Sequence, residues 1–287
     1  MKLYTKVEPP QSKVTLTLSD KIAVLGSCFA DSIGNKLIQN GFSVSLNPFG
    51  ALYNPLSIEQ SVQRLDSAEP FTVEDCVTMG AGSDLVCSYS HHTSFARRTA
   101  EEFLENANSR LAQASAAWKR SDRVILTLGT AFVWRLSGSG RVVSNCLKQP
   151  SATFTRWMMT VDEVEEALGR IIGAHPDKQF ILTVSPIRHL SDGAHANTLS
   201  KATLQIAADR AVAASGGRAV YFPSYEILLD ELRDYRFYAD DLVHPSASAV
   251  EVIWERFREC AIPPSEYAAM SESEKAFRRS QHREMHL

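Results

Sequence analysis

The sequence predicts a three-layer α/β/α fold, a doubly wound and mainly parallel sheet with an appended β-hairpin. Three observations carry that prediction. Short apolar runs (22–25, 42–46, 123–129, 180–186 and 219–224) alternate with stretches of helical periodicity, the pattern of a sheet built by helical crossovers. RVILTLG (123–129) and FILTVSP (180–186) are nearly continuous in apolar character, as strands covered on both faces are. Finally, the loops rich in small and polar residues (26–29, 47–54, 129–131, 186–195 and 240–246) each follow a strand or lie between that face and a helix. In such sheets the ligand sits at the carboxyl ends of the strands.

Taken in order, residues 1–20 read as an extended polar arm with two prolines. Ile22 to Leu25 is a buried strand, Gly26-Ser27-Cys28 a sharp turn, and the helix after it places Phe29, Ile33 and Leu37 on one face. Gly41 stops that helix before a strand at Phe42–Leu46, and NPFGALYNP (47–55) is a loop with Gly50 inside it. Ile58, Val62 and Leu65 mark a short amphipathic helix. Residues 66–97 hold one expected strand, Leu85–Tyr89, then a polar loop, SHHTSFARR. Ala100–Lys119 is a helix by its Phe103, Leu104, Ala107, Leu111, Ala114, Trp118 spacing. AFVWRL-SGSG-RVV reads as a hairpin appended after the 123–129 strand, and Ser144–Phe154 as loop. A helix over Val161–Ile172, stopped at Gly173, leads to the 180–186 strand. A loop then precedes a long helix from about Thr198 to Ser215, closed by Gly216-Gly217. Helices at Glu226–Tyr235 and Ser246–Cys260 flank DDLVHPS, and the charged stretch from Ser271 to Leu287 is a solvated or docking helix. The expected division is one α/β domain with its N-terminal arm over 1–264 and a charged helical tail over 265–287.

A chain of 287 residues with 44% hydrophobic content can bury a core that needs no disulfide or metal staple. Net charge −3 and a pI near 6.3 give no electrostatic footprint for nucleic acid. No apolar run reaches the roughly 18 residues of a membrane helix, and MKLYTKVEPPQSKVTL lacks the apolar core of a secretory leader. Cys28, Cys76, Cys87, Cys146 and Cys260 are an odd, scattered set without a CxxC pair, which points to reduced thiols in the cytoplasm. No cofactor and no metal is expected, no nucleic acid or membrane partner, and the oligomeric state is left open.

A strand that turns into a helix through Gly26-Ser27-Cys28 presents a hydroxyl or thiol where unpaired backbone N–H groups and the positive dipole end collect. Both features favour a nucleophile and the oxyanion it creates; the bland reading is an ordinary α/β turn. Asp241 and His244 supply partners. Their spacing lets the carboxylate reach Nδ1, fixing the tautomer and leaving Nε2 free as a base. Pro245 and Ser246 then start the next helix.

Gly26-Ser27-Cys28-Phe29-Ala30 also spells the signature of the GSCFA family, a bacterial family placed in the SGNH/GDSL hydrolase superfamily, and the chain resembles it over roughly residues 5–260. NPFGALYNP, LGTAFVW, SNCLKQP, SPIRHLSDG and FPSYEILLDELRDYRFYADDLVHPS all look like blocks of that family. The resemblance implies an SGNH-hydrolase or flavodoxin-like sheet and an acyl-transfer site. Against the superfamily pattern, Gly-Asp-Ser falls on Gly26-Ser27-Cys28, so the nucleophile slot holds Cys28 and Ser27 stands where the Asp would be. Gly50 matches the second block and is expected to offer its N–H to an oxyanion. Gly-x-Asn falls on Gly129-Thr130-Ala131, so the side-chain amide donor is missing; Asp241 and His244 match the last block unchanged.

Register favours Cys28 as nucleophile and superfamily habit favours serine, which a one-residue shift would make Ser27. Thr130 and Asn145 are the candidates to replace the lost amide donor. His189, beside Arg188, lies on the expected active face as a substrate contact or alternative base. His91 and His92 point apart and suit substrate contact better than metal. Asn197 and Lys201 are read as solvated helix surface, with an extension of the polar rim beside His189 as the alternative, and the Trp and Tyr residues as core. The leading expectation is an acyl hydrolase, a carboxylic-ester hydrolase or deacetylase working through an acyl-enzyme on a small-molecule or glycan ester. The alternatives are acyl transfer to a sugar or polysaccharide hydroxyl, and, because of Ala131, a non-catalytic binding protein on the same fold.

Overall fold

Strands β1 (Lys21–Gly26), β2 (Ser43–Leu46), β5 (Arg123–Leu128), β9 (Gln179–Val184) and β10 (Ala219–Tyr221) pair in parallel in the order β10-β9-β5-β1-β2. The structure is a computed structural model describing residues 4–9 and 11–284. The chain enters the sheet at β1, steps outward to β2, and returns to the other side of β1 at β5. The strand order therefore reverses between β1 and β5, the crevice where open α/β sheets bind ligands.

Period-two alternation along these strands feeds two cores. Ala23, Leu25, Val124, Leu126, Phe180 and Leu182 face helices α2 (Pro55–Ser67), α3 (Ala100–Arg120), α4 (Val161–Ala174) and α5 (Gly193–Ala214). Ile22, Val24, Ile125 and Ile181 face α1 (Cys28–Gln39), α7 (Ala247–Ala261) and the N-terminal arm. The arm is held down by Ser12 N–H to Cys260 O (3.0 Å) and Leu16 N–H to Ala261 O (2.8 Å), with Val14 and Leu16 buried. Helix α8 (Tyr267–Glu284) adds Met270 to the second core, and the last three residues of the charged tail lie outside the described residues. No helix among the described residues is long and apolar enough to cross a membrane.

Four local features differ from the sequence reading. The appended hairpin gains a third strand: β6 (Phe132–Leu136) pairs antiparallel with both β7 (Val142–Val143) and β8 (Phe154–Met158). Pro150 and the polar SNCLKQP run disguised the start of β8, whose exposed Thr155 and Arg156 leave little apolar alternation. A separate two-stranded ladder joins β3 (Val77–Thr78) and β4 (Val86–Cys87). Helix α5 begins at Gly193 rather than Thr198; Gly193 has φ +81° and starts the helix instead of breaking it. The segment 226–235 is not one α-helix. The turn α6 (Ser224–Glu226) widens into a π-helix at Ile227–Leu232, closed by an Arg233 N–H to Leu228 O bond of 3.1 Å.

Candidate active site

The turn after β1 is shaped by close backbone approach. Gly26 has φ +143°, and a Cβ there would collide with the backbone of Thr127 on the neighbouring strand β5. Ser27 N–H donates to Thr127 O (3.0 Å) and the Ser27 hydroxyl accepts from Phe29 N–H (3.3 Å). Ser27 is therefore the buried N-cap of α1. Cys28 is the first residue of that helix.

At the other end of the chain, Asp241 organises DDLVHPS from within. Its Oδ1 accepts from the N–H groups of Val243 and His244, both at 2.9 Å, and its Oδ2 lies 2.6 Å from His244 Nδ1. These bonds, the His244 backbone one first, hold the Asp241 carboxyl down at about 2. Leu242 is forced to φ +56° by this tight turn. With Nδ1 held as donor to the carboxylate, Nε2 carries the lone pair, and it lies 3.6 Å from Cys28 Sγ. Arg188 ties the loop to the end of β9: its N–H donates to Val243 O (3.2 Å) and its Nη1 to Leu242 O (3.1 Å), while its guanidinium lies 5.3 Å from the Tyr238 ring centre.

Burial raises the Cys28 thiol above its ordinary range, its own N–H opposes that, and then Asp31 raises it while Lys201 lowers it. A thiol so placed stays protonated near neutral pH and needs a base to become a nucleophile. Asp31, one turn along α1, is itself raised by burial and accepts from Asn47 Nδ2 (2.8 Å). Asn47, at φ +37°, accepts from Gly26 N–H with its other amide atom (2.9 Å), clamping the loop after β2 to the loop after β1.

The expected accessory groups each have partners of their own within the protein. Gly50 N–H donates to Asn47 O (2.8 Å), and the residue is glycine because a Cβ at its φ of +82° would run into His92. Thr130 Oγ1 accepts from Phe132 N–H (3.1 Å) and shares a hydrogen bond with Ser200 Oγ (3.1 Å). Asn145 accepts from Leu147 N–H (2.8 Å), the turn-capping role such loop residues commonly have. His91 is core, boxed by Phe49, Phe71, Phe95 and Phe103, with burial pushing it down to about 3. His92 caps a short turn through Ser94 N–H (3.2 Å).

His189 lies beside Gly129, just past the end of β5. Its Nε2 donates to Gly129 O (2.9 Å), and burial first, then Lys201, lower it to about 4, so the ring is neutral with Nδ1 as its lone-pair side. Asn197 and Lys201 correct the reading of a solvated surface, for both are buried. Asn197 accepts from His189 N–H (2.8 Å), and Lys201 Nζ donates to Gly129 O (2.6 Å) and Ser185 O (2.7 Å), bridging the ends of β5 and β9. Their spacing with Ser200 and Leu204 on the inner face of α5 was the available signal. Tyr53 was also missed. Its carbonyl accepts from Gly129 and Thr130 N–H, each at 2.8 Å. Among the described residues no group of three or more His, Cys, Asp or Glu side chains is arranged to hold a metal ion.

The GSCFA family profile matches residues 21–257. No sequence among the curated proteins matches the chain. Among solved structures, a carbohydrate esterase family 2 enzyme plus carbohydrate binding domain from Corynascus thermopiles (Myceliophthora fergusii) is similar at 14% identity and a TM-score of 0.40. The similarity covers 93% of this chain and 69% of that one. A likeness of that depth carries no argument about chemistry, which rests here on the site.

Proposed function

The chain belongs to the GSCFA family, and from that premise we propose that it is an acyl hydrolase of the SGNH type, with Cys28 as nucleophile, His244 as base and Asp241 as the group that orients it. The observation that carries this reading is the relay at the switch-point crevice: Cys28 Sγ 3.6 Å from His244 Nε2, and His244 Nδ1 2.6 Å from Asp241. Nε2 takes the thiol proton as sulfur attacks the ester carbonyl, then returns it to the departing alkoxide, leaving a thioester. Water, activated by the same nitrogen, releases the acid. The raised thiol supports this sequence, because general-base removal of the proton is needed where no thiolate stands ready. Ser27 is the weaker nucleophile candidate, since its hydroxyl is buried and occupied as a cap. The substrate class is a small-molecule or glycan ester, and the site of action is the cytoplasm, where a free thiol stays reduced.

The test exposes purified protein to a short-chain p-nitrophenyl ester and to iodoacetamide, and locates adducts by mass spectrometry in wild type, Ser27→Ala, Cys28→Ala and His244→Ala. Acylation at Cys28 that disappears with His244→Ala is the expected result. Acylation at Ser27 would move the nucleophile. No adduct and no turnover across a broad ester panel would favour a binding protein on this fold, and transfer to an added sugar in preference to water would make it an acyltransferase.

A further inference from the structure

Acyl transfer through Cys28 needs donors for the oxygen that becomes negative, and the side-chain amide usual in the superfamily is replaced by the methyl group of Ala131. Gly50 and Thr130 are engaged within the protein, and Asn145 spends its amide oxygen on the N–H of Leu147. Gly50 N–H is turned to Asn47 O, Thr130 Oγ1 is shared between Ser200 and Phe132, and Ala131 N–H donates to Ser200 Oγ (2.8 Å). His189 uses its one ring N–H on Gly129 O, and the ammonium of Lys201 is sealed from any ligand.

We propose that the Tyr53 hydroxyl is the missing oxyanion donor, acting together with the backbone N–H of Cys28. Tyr53 is fixed between the two relevant loops. Leu52 N–H donates to Gly26 O (2.7 Å), and the Tyr53 carbonyl receives both Gly129 and Thr130 N–H. A Cβ placed on Gly129 would lie 3.2 Å from Tyr53 Cα and 3.3 Å from Ser27 Cβ, so Tyr53 and the nucleophile turn press on the same point. Its hydroxyl has no hydrogen-bond partner among the described residues, yet it is not among the polar atoms sealed from solvent. Tyr53 is a half-buried residue whose hydroxyl donor is unspent, on a loop held against the nucleophile turn. Burial, then Cys28 and Asp31, push the phenol up to about 12, so it keeps its proton through the neutral range.

The inference rests on the acyl-hydrolase reading. As the sulfur–carbon bond forms, the carbonyl π pair moves to oxygen and the thiol proton moves to His244. Tyr53 donates a hydrogen bond to that oxygen without giving up its proton. When the intermediate collapses, the pair returns, the carbon–oxygen bond breaks, and His244 protonates the leaving alkoxide. Removing one such donor lowers turnover by about 10²–10³-fold in comparable sites.

Tyr53→Phe removes one oxygen and keeps the ring. The rate of Cys28 acylation by the p-nitrophenyl ester is compared with its rate of alkylation by iodoacetamide, in wild type and variant. Displacement at the saturated carbon of iodoacetamide creates no oxyanion. The expected result is an acylation rate reduced about 10²–10³-fold with alkylation within twofold of wild type. Acylation unchanged by the substitution overturns the inference and leaves the hydrolase reading standing. A parallel fall in both rates also overturns it, because Tyr53 would then act on the thiol or on the site's integrity. Absence of any acyl adduct in the wild type removes the hydrolase reading and this inference with it.

Discussion

Replacing Lys201 by methionine removes a charge that the fold holds at considerable expense, and the consequence is readable as a change in pH dependence. The side chain is 1% exposed, and its ammonium reaches only the carbonyls of Gly129 and Ser185. Burial lowers it from 10.5 to about 7, against an opposing attraction from Cys28, and the face it shares also carries His189 and the ring of Tyr225. At about 1.4 kcal/mol per unit, that depression amounts to about 5 kcal/mol. Because the folded value lies below the unfolded one, the unfolded chain binds the extra proton between them, and stability rises with pH through that window. The contribution is full above 10.5 and lost as pH falls to 7. The difference in unfolding free energy between wild type and Lys201→Met, from urea titrations, should move in favour of wild type by about 3–4 kcal/mol from pH 7 to pH 10. At pH 7 the variant's gain is partly cancelled by the Ser185 carbonyl left without a donor, at about 1–3 kcal/mol, while Gly129 O keeps its bond from His189, so the slope is the decisive quantity. Parallel stability curves across that range would refute the picture of a desolvated lysine.

Four further outcomes follow from the geometry. His91, held down at about 3 against 6.5 when unfolded, makes the protein lose stability as pH falls through that interval, by about 1.4 kcal/mol per unit; His91→Phe should move the acid-unfolding midpoint to lower pH by circular dichroism. Gly129→Ala places a Cβ 2.8 Å from Tyr53 O, and overpacking of about 1–3 kcal/mol should appear as a lowered Tm. Asp241→Asn should reduce kcat by about 10²–10⁴-fold, measured with the p-nitrophenyl ester, because the amide no longer enforces the Nδ1–H tautomer of His244. Arg188→Gln loses a charge-assisted bond to Leu242 O worth about 1.5 kcal/mol, and should lower kcat/KM about tenfold with little change in Tm.

The order of elements, the parallel sheet and the pairing of Asp241 with His244 were legible in the chain, because each is a local property. Continuous apolar runs bury on both faces, and an aspartate three residues before a histidine reaches its Nδ1 within one turn. The turn at 26–28 was legible for the same reason: small residues between a strand and a helix leave a cap and an exposed side chain. Which of Ser27 and Cys28 faces the histidine is not local. A buried cap takes the first hydroxyl, and His244, arriving from more than two hundred residues away, meets the thiol. Donor supply is likewise a matter of tertiary structure. Gly50 and Thr130 have suitable groups, but a hydrogen-bond donor is useful only if folding leaves it unspent, and each is engaged by a neighbour that spacing does not reveal, while Asn145 turns its amide oxygen to Leu147 N–H. Lys201 and Tyr53 show the converse. A lysine on a helix and a tyrosine in a loop look like surface or core from the chain alone. Only the closing of α5 over the ends of β5 and β9, and of the β2 loop over β1, brings them to the crevice.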